Sequence, residues 1–221
     1  MSAHPHPHGG SGARPAWGEP RPGPLGRFVG WVRAALTRPA AGPRSALPEL
    51  PVALRRAELA DEYLEAAGAA DHRRAGATAA TASERAIEGG EWWPADVWAH
   101  RALWHFEQAQ LTLAAARQAR RIGDLRTLAG DPASARRYYA EAIDEARDIG
   151  AEHEQGLAAL GLGRAHLDLG EVTAARHLAA ASVDLLERAG APAVELDAAR
   201  GLLGTEVAVG EGAEDDRWRD D

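Results

Sequence analysis

A glycine followed by an acidic residue recurs at a fixed interval of forty residues along this chain. The four pairs are Gly90-Glu91, Gly130-Asp131, Gly170-Glu171 and Gly210-Glu211. Glycine can end a helix because it adopts positive φ, and a carboxylate directly after it lies at the positive end of the next helix. A period of this length between helical patterns is typical of stacked repeats. The sequence therefore predicts antiparallel helical hairpins joined by tight turns.

Apolar periodicity between these turns predicts eight helices. Their predicted bounds are 52–67, 71–88, 94–110, 112–129, 132–148, 152–169, 172–189 and 192–208. Pro132 supports one of these starts, because a proline at the first position of a helix loses no helical hydrogen bond. A single hairpin cannot bury its apolar face alone, so we expect neighbouring hairpins to stack into one continuous core.

Large and small residues recur at matching positions of the predicted hairpins. The first helices carry Ile122-Gly123 and Leu162-Gly163, and one second helix carries Ala135, Tyr139 and Ala142. This pattern resembles the tetratricopeptide repeat (TPR) family, in its long-period bacterial form, over about residues 76–208. The resemblance implies an all-α, right-handed α-solenoid of antiparallel hairpins that acts in protein–protein interaction.

Composition divides the chain into three parts. Residues 1–51 hold ten of the 13 prolines and six arginines against two acids, which predicts a disordered basic arm. Within it, residues 25–38 predict a short amphipathic helix. Residues 52–210 form the predicted repeat domain, and residues 211–221 form a disordered acidic tail. Neither a membrane-spanning run nor a signal-peptide pattern is found, so the expected location is cytoplasmic.

The sequence offers few residues for catalysis. It has no cysteine, and all 25 of its Lys and Arg residues are arginine, which excludes thiolate nucleophiles, zinc knuckles and Schiff-base lysines. Hydrolase, nucleotide-binding and zinc-protease motifs are missing as well. A net charge of -8 argues against a nucleic-acid partner. We therefore expect a binding protein rather than an enzyme, with no cofactor and no metal.

The family resemblance also implies a binding surface. In TPR proteins the first helices of successive repeats line a concave groove, which holds an extended peptide or its terminal carboxylate. The matching positions here are Arg117, Arg120, Asp124, Thr127, Leu128, Leu157, Leu160, Arg164, Leu167, Asp168, Asp197 and Arg200. Guanidinium groups suit carboxylates, so the expected partner is a protein or an acidic or C-terminal peptide segment. In the alternative interpretation these arginines pair within the chain, with Asp124 and Asp168.

Aromatic residues concentrate in one stretch of fifteen residues, which holds Trp92, Trp93, Trp98, Trp104 and Phe106. One interpretation places them in a hydrophobic seam between the N-terminal helices and the first full repeat. The other makes them an exposed patch for a partner.

Three further roles stay open on the sequence alone. The protein could be a regulatory sensor, in which peptide binding repacks the helices and changes the affinity for a second protein. It could be a membrane-surface adaptor, weakly anchored by residues 25–38. The exposed end of a short solenoid could also stack on a second copy of the chain.

Overall fold

A computed structural model describes residues 47, 49–55 and 59–204 of the 221-residue chain. After a 3₁₀ turn at Val52–Leu54, these residues form eight α-helices and no strand. The helices are α1 (Ala60–Gly68), α2 (His72–Glu88), α3 (Trp92–Gln108), α4 (Thr112–Leu128), α5 (Pro132–Asp148), α6 (Glu152–Asp168), α7 (Val172–Arg188) and α8 (Ala193–Leu203). Each helix packs against the next, so the predicted α-solenoid is confirmed. The predicted helix at 25–38 and the acidic tail at 211–221 lie outside the described residues.

The seven connections between helices are one turn repeated every twenty residues. In each turn a residue with φ between 54° and 74° follows the helix cap, at positions 70, 90, 110, 130, 150, 170 and 190. The N–H of the next residue donates to the carbonyl five positions back, as from Glu91 to Ala86 over 2.8 Å. This bond satisfies a carbonyl that the helix end leaves unpaired. The forty-residue period of the sequence is therefore two equal steps of twenty.

The most extensive contacts join α2 with α3, α4 with α5, and α6 with α7, which makes these pairs the hairpins of the solenoid. The first helices of successive hairpins also touch, because α6 contacts both α4 and α8. We call the row formed by α4, α6 and α8 the inner row. It corresponds to the helices to which the sequence assigned the groove.

Several glycines inside the helices mark places where a side chain of a neighbouring helix enters. The Tyr139 ring of α5 lies against Gly123 of α4 and Gly161 of α6. A Cβ on Gly123 would lie 2.7 Å from the ring, and one on Gly161 would lie closer still. Tyr139 is therefore wedged between two helices of the inner row, and only glycine leaves room for it.

The first and last predicted helices differ from the observed ones. The helix expected at 52–67 is a 3₁₀ turn followed by a helix that begins only at Ala60, because the chain turns at Arg55, whose N–H bonds to the Val52 carbonyl. The helix expected at 192–208 ends at Leu203, with Gly204 as its cap, and residues 205–208 lie outside the described part. Among the described helices, none has both the length and the apolar character needed to cross a membrane.

Candidate functional site

Asp124 is the centre of a hydrogen-bonded network on the inner row. The Tyr139 hydroxyl donates to its Oδ1 over 2.8 Å, and Arg120 Nη1 donates to its Oδ2 over 3.2 Å. Thr127 Oγ1 donates to the Gly123 carbonyl over 3.1 Å and lies 3.2 Å from the Tyr139 hydroxyl. Because the Tyr139 ring passes between α4 and α6, its hydroxyl emerges beside Asp124 and ties α5 to the inner row.

Glu154 of α6 faces the arginines of α4. This buried carboxylate accepts from Arg120 Nε over 2.5 Å and pairs with Arg117 Nε at 3.6 Å. Two arginines that the sequence assigned to a ligand therefore already hold a carboxylate of their own chain. Glu154 is a site residue that the repeat pattern did not single out. It lies thirty-seven residues after Arg117, and the same separation joins Glu84 to Arg121 at 2.7 Å. Opposite charges slightly less than one period apart are the signal that would have found it.

The pKa values of Arg120, Tyr139 and Asp124 are all raised in this network. Burial acts to lower the pKa of Arg120, but the adjacent Glu154 carboxylate outweighs it, and the pKa is raised. Burial, and then the negative charge of Asp124, raise the pKa of the Tyr139 hydroxyl. Burial also raises the pKa of Asp124, against the opposing effects of the Tyr139 hydrogen bond and the Arg120 and Arg164 charges. Arg120 therefore stays charged, and Tyr139 stays a hydrogen-bond donor.

Arg164 is an exposed cation of α6 next to this network. Its charge reaches Asp124, whose pKa it acts to lower, yet within the described residues it forms no hydrogen bond or ion pair. The other arginines of the inner row do have partners: Arg117 and Arg120 with Glu154, Arg121 with Glu84, Arg126 with Asp96, and Arg200 with Glu187. Asp168, one turn further along α6, is likewise exposed. Among the described residues, Arg164 is thus the arginine of the inner row that pairs with no carboxylate of its own chain.

Three of the leucines predicted to line the groove lie in the core of the solenoid or against it. Leu160 is 4% exposed and belongs to the core with Leu186 and Leu202, which corrects its assignment to the groove. Leu157 and Leu167 are partly buried against the same core, since α7 and α8 cover this side of α6. Exposed positions at the ends of the predicted surface are Leu128, Asp197 and Arg200. The structure therefore gathers Arg117, Arg120, Asp124 and Thr127 around Tyr139 and Glu154, with Arg164 beside them.

The five aromatic residues separate into two groups. Trp98 is buried edge-on against the Tyr63 ring of α1, with centroids 5.2 Å apart, and Phe106 is buried beside Gly76 of α2. Trp104 packs edge-on against His72 and His105. These three residues lie where α3 packs against α1 and α2, which is the side of α3 that the seam interpretation expects. Trp92 and Trp93 do not, because each is more than half exposed.

A second polar network, around Tyr63, joins α1, α2 and α3. Arg101 Nη1 donates to the Tyr63 hydroxyl over 3.0 Å, and the same hydroxyl lies 3.1 Å from His105 Nε2. His72 Nδ1 and His105 Nδ1 are 2.9 Å apart, so one of them must be the donor. Burial, followed by the neighbouring His72 and Arg101, lowers the pKa of His105 to about 4. His105 is therefore neutral at neutral pH.

One acidic cluster joins α3 and α5. Glu107, Glu141 and Glu145 bring carboxylate oxygens within 4.8 Å of one another. Each of the three also has an interaction of its own within the chain. Acidic clusters of this kind occur without an ion, so proximity alone does not identify a metal centre here.

No model of a known protein family matches the chain, and no curated protein matches it in sequence. The resemblance to TPR proteins therefore depends on the residue pattern alone. The structure shows the stacked helical hairpins that this pattern predicts, and side chains of neighbouring helices lie against Gly123 and Gly163.

Proposed function

We propose that α1 to α8 form a protein-interaction module of the TPR kind, which binds an acidic or C-terminal peptide segment through its inner row. One observation carries the proposal: Arg164 is exposed and unpaired within the described residues, in a row whose other arginines hold carboxylates of their own chain. An exposed guanidinium next to a fixed hydrogen-bonded network suits a carboxylate ligand. The proposed chemistry is binding rather than catalysis.

The surrounding hydrogen-bonded network would form the preorganised part of the binding surface. Arg120 is held by Glu154 and Asp124, and the Tyr139 hydroxyl is held by Asp124, so these groups lose little freedom when a partner binds. The Arg117 side chain is 59% exposed and pairs with Glu154 only at 3.6 Å, which leaves part of its guanidinium open. Arg117 and Arg164 are therefore the two cations that we expect to contact the ligand directly.

The test compares Arg164→Glu with a matched control, Arg176→Glu. Arg176 lies on α7, outside the inner row, and is also exposed without a partner in the described region. Each full-length variant is immobilised and used to capture partners from an extract of the source cells. Captured segments are then tested as synthetic peptides with a free or an amidated C-terminus. We expect a partner that Arg176→Glu retains and Arg164→Glu loses.

A partner retained equally by both variants would contradict the proposal. Circular dichroism should show equal helicity for both, because in the described region neither arginine has a hydrogen bond or an ion pair to lose. Charge reversal at Arg120 is unsuitable for this purpose. It would place a second carboxylate beside the buried Glu154, and so would test the fold rather than the surface.

A further inference from the structure

We infer that the turn between α2 and α3 carries a second binding surface, and that it takes an arginine- or lysine-rich segment of another protein. The surface consists of Trp92, Trp93, Glu88 and Glu91. It is separate from the inner row and selects a partner of the opposite charge.

Comparison of the three hairpins shows that the fold does not need these tryptophans. Trp92 and Trp93 are 53% and 54% exposed. At the same two positions the second hairpin carries Pro132 and Ala133, and the third carries Val172 and Thr173. Ala133 and Thr173 are exposed like Trp93, so the position faces solvent in every hairpin. Two large indoles at a place where smaller residues suffice form an apolar surface suited to a partner.

The carboxylates of this turn also differ from their counterparts. Asp131 accepts from the Ser134 N–H, and Glu171 pairs with both His166 and Arg136, so both counterparts of Glu91 are used within the chain. Glu88 and Glu91 are exposed and, in the part of the chain that the structure describes, have no hydrogen bond or ion pair. Two unpaired negative charges thus lie within a few residues of two exposed indole rings.

Both kinds of group favour the same ligand. The face of an indole ring attracts a guanidinium or an ammonium group, most strongly for tryptophan. The two carboxylates pair with the same cations and repel an anionic segment. The net charge of -8 adds a long-range attraction for a basic partner. The acidic peptide proposed for the inner row is therefore excluded from this surface.

The experiment measures binding of a labelled oligo-arginine peptide to the full chain by fluorescence anisotropy at physiological ionic strength. One variant, W92A/W93A, removes the indoles without changing charge, and a second, E88Q/E91Q, removes the two carboxylates. The control, D148N/D184N, removes the same charge from two other exposed carboxylates that have no partner among the described residues. We expect each surface variant to lose about tenfold in affinity, and the control to change by less than about twofold.

Two results would overturn the inference. If W92A/W93A binds the peptide as tightly as the parent chain, the indoles take no part. If the control loses as much affinity as E88Q/E91Q, binding follows net charge alone. Sedimentation velocity tests a third result that would overturn the inference. If the parent chain is a dimer and the W92A/W93A variant is a monomer, the surface binds a second copy of this chain. Arg164→Glu should still bind the peptide, which separates this surface from the inner row.

Discussion

The hydroxyls of Tyr63 and Tyr139 each join neighbouring helices, and their surroundings differ. Tyr63 bonds to Arg101 and His105 in a buried cluster between α1, α2 and α3. Tyr139 has an equally buried ring, but its hydroxyl meets Asp124 at the inner row, next to the exposed Arg164. One arrangement lies inside the most N-terminal of the described helices, while the other ends on charged groups that water can reach. A tyrosine with a buried ring can therefore position buried polar groups, as Tyr63 does, or groups at the surface, as Tyr139 does. The difference depends on where the hydroxyl lies.

The largest effect is expected where the Tyr139 wedge is blocked. Gly161→Ala would place a methyl group in contact with the Tyr139 ring, so α5 and α6 would have to separate. Overpacking of this kind in a core costs about 3 kcal/mol in the free energy of unfolding. Urea unfolding followed by circular dichroism measures it.

The matched control is Gly201→Ala in α8, where an added Cβ meets nothing within 4 Å. This change should raise the free energy of unfolding by about 0.5–1 kcal/mol, because alanine favours the helix over glycine. If both substitutions stabilise the chain, the Tyr139 ring does not pack against Gly161 as closely as the structure shows.

A second substitution tests the charged side of the same network. Arg120→Met leaves Glu154 buried with Arg117, at 3.6 Å, as its remaining partner among the described residues, which should lower the free energy of unfolding by about 2–3 kcal/mol. Arg164→Met removes a guanidinium without an internal partner in the described region and should change stability by less than about 0.5 kcal/mol. Thermal and urea unfolding of the two variants should therefore differ clearly. Equal losses would mean that Arg164 also has a structural role.

The sequence predicted the repeat, the turns and the helical hairpins, because each depends on local residues such as Gly90 and Pro132. It could not predict the Glu154 pair or the fit of Tyr139 against Gly161, since both depend on how two helices lie side by side. Leu160 was misassigned because its burial requires the cover of α7 and α8. The exposed pair Trp92 and Trp93 could have been distinguished by comparison with the small residues one and two periods later.

Acidification should weaken the Tyr63 network. The pKa of His105 is about 4 in the folded chain, against about 6.5 in an unfolded one, so the unfolded state binds more protons between these values. Stability from His105 is therefore fully present above about pH 6.5 and is lost as the pH falls towards 4. Urea unfolding at about pH 7 and about pH 4.5 should show a loss of about 2 kcal/mol from this residue.

The comparison that isolates this effect uses His105→Gln. The variant should be less stable than the parent at neutral pH, but should lose about 2 kcal/mol less on acidification. Carboxylates with lowered pKa values, such as Glu171, titrate in both proteins and cancel in the difference. Asp124 changes stability in the opposite direction on acidification. Its pKa is raised in the folded chain, so its protonation favours the folded state. Parallel pH profiles for the parent and the variant would contradict the role assigned to His105.

Smaller effects than that of the blocked Tyr139 site are expected in the turns that flank the α2–α3 hairpin. Ala70 and Gln110 have φ values of 54° and 55°, whereas the other five turns have glycine at this position. A residue with a Cβ is strained in this conformation, so Ala70→Gly and Gln110→Gly should each raise the free energy of unfolding by about 1 kcal/mol. The turns are independent, so the double variant should gain about 2 kcal/mol. Gly130→Ala should lose about 1 kcal/mol in the same urea experiment. A loss of stability in Ala70→Gly would show instead that the methyl group of Ala70 stabilises the turn between α1 and α2.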